Sequence, residues 1–423
     1  MDELIERCAG IDVGQAEVVV CARVPDRVTG RPAQLVETFG TTTPDLLELQ
    51  DWLAGLGVTD VVMESTGVYW KPVYYVLEDA FTVILVNAAH VKHVPGRKTD
   101  TIDAVWLAQL LAHGLLSASF VPPKPIRELR DLTRYRKALI NERTASVNRV
   151  HKVLEDAGIK IGTFASDVFG VSGRAMMRAL IAGQDDPAAM ADLAQRRMRA
   201  KIPDLTKALT GRFGNHHAFL LARMLDHIEA QEADIAALDE RIGQLLDPFA
   251  TQVELLRSIP GVDRRSAEVM LAEIGPDMSV FPTPAHLASW AGMCPGQRES
   301  AGKRGSGKTR KGSKWLRATL VQSARAATRA KGTYLRERYL RLRRRRGDAK
   351  AVVALGHEIL LAAYRILDTG QPYIDPGPDT FSAITAERER RRAVDQLHRL
   401  GYNVTFAQTV PAAGVPASQR HIF

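Results

Sequence analysis

Apolar residues in the first 120 positions come in short runs whose period keeps changing. Val18 to Arg23, Leu35 to Phe39, Val61 to Glu64 and Thr82 to Val86 are rich in β-branched side chains and read as strands. Thr43 to Leu56, Lys71 to Asp79 and Asp100 to His113 carry apolar residues at helical spacing. Strands with helices between them predict an α/β layer. The proline cluster Val121-Pro122-Pro123-Lys124-Pro125 then predicts a boundary.

Beyond it the pattern becomes helical and long. Leu129, Leu132, Leu139, Val147, Val150 and Leu154 lie on one stripe of a helix from Ile126 to Ala157, with Gly158 as its stop. A second helix is expected from His216 to Leu246. Its seam of Leu221, Met224, Ile228, Ile235, Leu238, Ile242 and Leu245 is spaced like a coiled coil. An antiparallel pair that also mediates dimerisation is the expectation. Residues 159 to 215 between them read as irregular and helical. After Pro248, Ile259-Pro260-Gly261-Val262-Asp263 stands between Leu255-Leu256 and the Ala267 to Ile274 run, which reads as a helix-hairpin-helix. Such hairpins turn backbone amides toward a DNA phosphate.

Charge sharpens this picture. The chain of 423 residues carries a formal net charge of +9, but the charge is concentrated. The window from Gln297 to Arg346 holds 18 Lys or Arg and only two acids, Glu299 and Glu337, so it carries +16 and the remainder −7. A solvated helix face normally interleaves acids for pairing four residues apart, and this window does not. It predicts a polyanion partner, and no compact apolar face accompanies it to favour a membrane. Three scattered cysteines, Cys8, Cys21 and Cys294, give no disulfide framework and no paired metal spacing. Met1 to Arg7 is too acidic for a signal peptide, and no apolar run approaches a membrane span. A cytoplasmic protein, nucleoid-associated when active, is expected.

Four acids then carry the candidate chemistry. Asp12 sits in Gly10-Ile11-Asp12-Val13-Gly14, and Glu64 closes Asp60-Val61-Val62-Met63-Glu64. Asp100 and Asp103 open a helix, three apart and so on one face. Singly, each has an ordinary use as a turn, cap or first-turn residue. Together, strand ends can place Asp12 and Glu64 side by side, and four converging carboxylates repel unless divalent cations lie between them. Oxygen ligands suit magnesium or manganese rather than zinc.

A glycine-rich loop admits two readings. Gly302 to Thr309 matches the phosphate-loop pattern G-x-x-x-x-G-K-[ST], with Lys308 and Thr309 at its end, but no strand precedes it and Arg310-Lys311-Gly312 follows. An ATP-dependent nucleic-acid-binding protein is thus the weaker reading. Alternatively Ser300, ringed by Arg298, Lys303 and Arg304, is a nucleophile toward a phosphodiester, with the cations stabilising charge on the phosphorus oxygens. Ser306 and Ser313 are chemically similar. Lys308, Arg310, Lys311 and Lys314 complete the expected nucleic-acid-binding set.

The acidic set with Glu64-Ser65-Thr66-Gly67, and the later Ile259-Pro260-Gly261-Val262 and Ser300-Ala301-Gly302-Lys303-Arg304-Gly305, resemble the DEDD transposases of the insertion-sequence one-ten family, from about residue 8 to 370. The resemblance implies α/β plus all-α architecture. It places a RuvC-like ribonuclease H fold at 1–122, a helical coiled-coil dimerisation region at 123–250, and a C-terminal transposase domain with a serine nucleophile, matching Ser300, at 251–375. The tail at 376–423 is expected to be partly disordered. The implied activity is excision and insertion of the element through covalent phosphoserine links, with magnesium held by Asp12, Glu64, Asp100 and Asp103. The implied partners are double-stranded DNA, a non-coding guide RNA and further copies of the chain, as dimers assembling into tetramers. The alternative is a structure-selective endonuclease in which the carboxylates hydrolyse DNA and the serine is incidental.

Overall fold

A five-stranded mixed sheet organises the first part of the chain. The computed structural model describes residues 3–26, 32–65, 67–87, 100–165, 167–295, 299–300, 303–304, 309 and 312–405; of 100–102, 299–300, 303–304 and 381–389 it describes the backbone alone. The chain divides into two compact units, Met1–Pro122 and Pro123–Phe423.

In the first unit the strands are β1 (Cys8–Val13), β2 (Glu17–Pro25), β3 (Pro32–Gly40), β4 (Asp60–Glu64) and β5 (Thr82–Val86). The helices are α1 (Thr43–Gly55), α2 (Trp70–Leu77) and α3 (Asp100–Ala112). The sheet order is β3-β2-β1-β4-β5. β1 to β3 form an antiparallel meander, whereas β4 and β5 run parallel to β1. The parallel pairs need crossovers, and α1 and α2 supply them. Alternate strand residues face opposite sides. Ile11, Val20, Val61, Met63 and Leu85 face one side, packing against Leu46, Leu49, Leu53 of α1 and Val73, Leu77 of α2. Cys8, Val62 and Val86 face the other, against Leu107, Leu110 and Leu111 of α3.

The strand absent from the apolar pattern is β1. Gly10 interrupts its β-branched character, and α3 explains why. A Cβ at Gly10 would lie 2.2 Å from the Ala104 carbonyl oxygen and 2.5 Å from the Ala108 nitrogen. The helix therefore rests directly on the strand backbone. Gly10→Ala is expected to lower stability by about 1–3 kcal/mol through overpacking, measured as a lower urea midpoint for the first unit; an unchanged midpoint would refute the close approach.

The second unit is helical. α4 (Lys124–Asp156) leads into four short helices, α5 (Ile161–Phe164), α6 (Val171–Ile181), α7 (Pro187–Ala191) and α8 (Ile202–Leu209), and then α9 (Asn215–Leu246). α4 and α9 pack antiparallel, since Arg143 pairs with Glu232 and, seven residues apart on each helix, Arg136 pairs with Asp239. Of the expected seam, Leu221, Ile228 and Ile242 are buried while Met224, Ile235, Leu238 and Leu245 are only half-buried. Residues 159 to 215 close over the far end of this pair. Met176, Met177, Leu180 and Leu205 join Val150, Leu154, Leu221 and Leu225 in one core.

Then follow α10 (Ala250–Arg257), α11 (Arg264–Ile274), α12 (Pro284–Trp290), the two-residue strands β6 (Glu299–Ser300) and β7 (Lys303–Arg304), α13 (Lys314–Ala327), α14 (Tyr334–Arg346), α15 (Asp348–Thr369) and α16 (Thr380–Arg399). The buried α15 is packed by α10, α12, α13 and α14. The turn between α10 and α11 has Gly261 at φ +88°, and a Cβ there would meet Ser323 O of α13 at 2.4 Å. The two helices and the turn of the expected hairpin are present, and the turn glycine packs against α13. α16 is a helix within the segment expected to be partly disordered, and residues 406–423 lie outside the described ones. Among the described residues no helix is long and apolar enough to cross a membrane.

Candidate active site

Strand register places two of the four acids. Gly10 of β1 pairs with Val62 of the parallel β4, and Ile11 with Met63, so Asp12 and Glu64 stand next in line on neighbouring strands, about 4.8 Å apart in the pairing direction. Gly10 and Val62 both face α3, and side chains two residues on share that face. Asp12 and Glu64 therefore lie side by side at the carboxyl ends of β1 and β4, both half-buried.

The helix supplies the rest. The Cys8 thiol donates to the Ala108 carbonyl at 3.5 Å, and Gly10 lies under Ala104, so α3 runs antiparallel to β1. Continuing this register brings Asp12 opposite the first turn of α3, which begins at Asp100. Asp103, also half-buried, lies one turn before Leu107, on the flank facing β4 and β5. The Asp100 side chain lies outside the described residues. Among the described residues no group of three or more His, Cys, Asp or Glu is gathered closely enough to hold a metal ion. The donor set still fits a hard divalent cation: carboxylates on one face of two strands, beneath the positive end of a helix dipole. The nearby thiols do not compete as ligands. Burial pushes Cys8 up to about 12 and Cys21 up to about 11, so both stay protonated at neutral pH.

In the second unit, Ser300 pairs with Lys303 and Glu299 with Arg304 in an antiparallel hairpin. Its backbone is thus placed, while the side chains of Ser300, Lys303 and Arg304 are outside the described residues, as are Arg298, Ser306, Lys308, Arg310 and Lys311 entirely. An isolated bridge between Pro295 and Thr309 closes the loop's base, and Arg317 of α13 donates to Thr309 Oγ1 at 2.5 Å. Helix α13 starts only at Lys314. The phosphate-loop match thus lacks the helix that should open at its Lys-Thr end, and the ATP reading loses its structural context. Ser313 has a structural role: it caps α13 by accepting from the Leu316 amide at 3.2 Å, and it donates to Glu273 Oε2 at 2.9 Å.

Glu273 is the group that sequence reading missed. It is fully buried, yet Arg134 of α4 grips both its oxygens at 2.7 and 2.9 Å. Arg130 donates to the carbonyls of Ala272 and Glu273. One α11 turn earlier, buried Glu268 meets Arg136 at 2.8 Å and Arg264 at 3.2 Å. These charges fix α4 to α11, and Ser313 ties the start of α13 to the same acid. The available signal was two acids on an otherwise apolar α11 stretch and arginines at 130, 134 and 136.

Comparison with known proteins now meets this geometry. The model of the IS110 DEDD transposases, described as "Transposase", matches residues 9–159, the stretch that bears all four acids. A second, "Transposase IS116/IS110/IS902 family", matches residues 253–340, which bear the hairpin and α13. The chain belongs to the IS110 family of transposases. Similar proteins include the transposase for insertion sequence element IS1111A of Coxiella burnetii, 24% identical over 336 residues covering 76% of this chain and 81% of the relative. The transposase for IS1328 of Yersinia enterocolitica is 25% identical, over 66% of this chain and 74% of the relative. An insertion element IS110 protein of 43.6 kDa from Streptomyces coelicolor is 27% identical, over 56% and 62%. In this IS110-family transposase the first matched stretch covers the carboxylate unit and continues along α4 into the second unit, and the second lies wholly within the unit that carries the serine.

Proposed function

We propose that this transposase excises and inserts its element by DNA strand cleavage and exchange through a covalent phosphoserine at Ser300, assisted by magnesium at Asp12, Glu64, Asp100 and Asp103. The observation that carries the reading is the placement of Asp12 and Glu64 on adjacent strand ends, opposite the first turn of α3. The sheet order β3-β2-β1-β4-β5, antiparallel on one side of β1 and parallel on the other, supports a RuvC-like ribonuclease H fold. Magnesium bound to these carboxylates would supply charge neutralisation and Lewis-acid polarisation at a phosphate. The protein's own part is to hold the carboxylates in register and to present Ser300 beside Lys303 and Arg304. The serine oxygen displaces one strand hydroxyl from phosphorus, and the covalent ester conserves the bond energy for rejoining without ATP. A non-coding RNA of the element guides the reaction, and dimers assemble into tetramers so that carboxylates of one copy serve the serine of another. The half-buried apolar positions Ile235, Leu238 and Leu245 on α9 support a further helix contact between copies.

The test combines purified protein, magnesium, RNA transcribed from beside the gene, and end-labelled junction DNA. A denaturation-resistant protein–DNA adduct is expected with wild type and absent with Ser300→Ala. Nicked DNA without any adduct would instead support metal-dependent hydrolysis and overturn the serine mechanism.

A further inference from the structure

The faces of α4, α11 and α13 line a partly open cleft of about 190 Å³. Its apolar lining is Ile140, Val269 and Ala318, and its buried lining residues are Thr133, Arg136 and Ser266. Its walls carry Arg134, Arg136, Lys137 and Arg265, with no acid among the lining side chains. The indole of Trp315, with the Lys314 ammonium over one of its faces at 4.9 Å from the ring centre, lines the cleft, and the amide of Gln322 and the hydroxyl of Thr319 lie further along α13.

Three of these cations are committed: Arg134 to Glu273, Arg136 to Glu268 and Asp239, Arg265 to Asp239. Lys137 has no ion-pair partner among the described residues and is half-buried at the cleft wall. A bare phosphate site needs no apolar lining, and an apolar ligand needs no cations. An aromatic face, an apolar lining, amide and hydroxyl groups and a spare cation together suit one molecule class: a nucleotide with its base against the indole and its phosphate on the Lys137 ammonium.

We propose that this cleft takes one unpaired nucleotide of a bound strand, stacked on Trp315 with its phosphate held by Lys137. The proposal rests on the nucleic-acid reading above and deepens it. Trp315 lies in the first turn of α13, two residues after the Ser313 cap, on the helix that follows the serine loop in sequence. A strand anchored here has one base removed from the helical stack. The same pocket chemistry serves an opened DNA strand or an RNA strand.

The test measures binding of fluorescein-labelled 12-nucleotide single-stranded DNA, single-stranded RNA of the same sequence and the matching duplex, using the full chain. Trp315→Leu is expected to weaken a single strand by about tenfold, the scale of one lost base–aromatic stack, and to leave the duplex within about twofold. Trp315→Phe keeps an aromatic face and is expected to retain most of the affinity, which separates stacking from misfolding. Lys137→Gln is expected to lower the salt slope for the same strand by about one. Loss confined to RNA identifies a guide strand as the occupant, and loss confined to DNA an opened target; either supports the pocket. Equal binding of both single strands by wild type and Trp315→Leu overturns it. A wild type that binds none of the three probes overturns the nucleic-acid reading itself.

Discussion

Asp12→Asn is expected to lower magnesium-dependent strand cleavage by about 10²–10³-fold, the scale on which one preorganised electrostatic group contributes to catalysis. The same substitution should not damage the fold. Asp12 and Glu64 stand in adjacent register on one face of β1 and β4, and two carboxylates on neighbouring strands oppose each other when no cation is present. Neutralising one should therefore leave thermal stability in EDTA equal to wild type or raise it. Added magnesium should then raise the wild-type melting temperature, because a cation that binds only the native state stabilises it by mass action, about 2.7 kcal/mol at 100 times Kd. Asp12→Asn should lose most of that increment, and Glu64→Gln should behave alike. Full cleavage by Asp12→Asn, or an equal magnesium-induced shift in both proteins, would remove these carboxylates from the metal site.

The second large effect lies in the other unit. Glu273→Ala is expected to cost about 3 kcal/mol, the lower end for breaking a buried ion pair. The lower end applies because Arg134 is one-third exposed and can regain some water, whereas Glu273 is fully buried. The cost has a second part. Without the carboxylate, Ser313 loses its acceptor at the cap of α13. Ser313→Ala alone should cost about 1 kcal/mol, as for other helix caps. The double replacement Arg134→Met with Glu273→Leu is expected to recover most of the stability, since a well-packed apolar pair removes both desolvation penalties. Urea unfolding of wild type and these three variants measures the differences. If Glu273→Ala were neutral, these charges would not hold α4 to α11. Adduct formation at Ser300 should fall in Glu273→Ala as well, because the cap it supports opens the helix that follows the serine loop.

Much of this architecture was legible in the residues, and the exceptions have physical causes. The expected strands Val18–Arg23, Leu35–Phe39, Val61–Glu64 and Thr82–Val86 each lie within an observed strand because β-branched runs have few other uses. The long helices begin and end within about two residues of the expected Ile126–Ala157 and His216–Leu246, inside ordinary boundary scatter. β1 was hidden because its composition answers to the helix above it: Gly10 is there for the backbone of α3, not for strand propensity. Glu268 and Glu273 were hidden for the opposite reason, since a carboxylate reads as surface until its arginines are found on a helix more than 130 residues away. At the serine loop the spacing did not separate Ser300 from Ser306. Backbone pairing places Ser300 opposite Lys303, whereas Ser306 lies outside the described residues.

Helix α4 runs unbroken for 33 residues, about 50 Å at 1.5 Å per residue. Its first third is locked by Arg130, Arg134 and Arg136 to α11, and its last third is embedded in the separate core of Val150 and Leu154. Such a rod is a lever. Tilting its far end through about 5° sweeps that end by roughly 4 Å over this length, and the charged clamp at the near end converts the sweep into torque on α11 and α13. A load on the distal cap is thus carried along α4 to α11 and, through Glu273, to the start of α13.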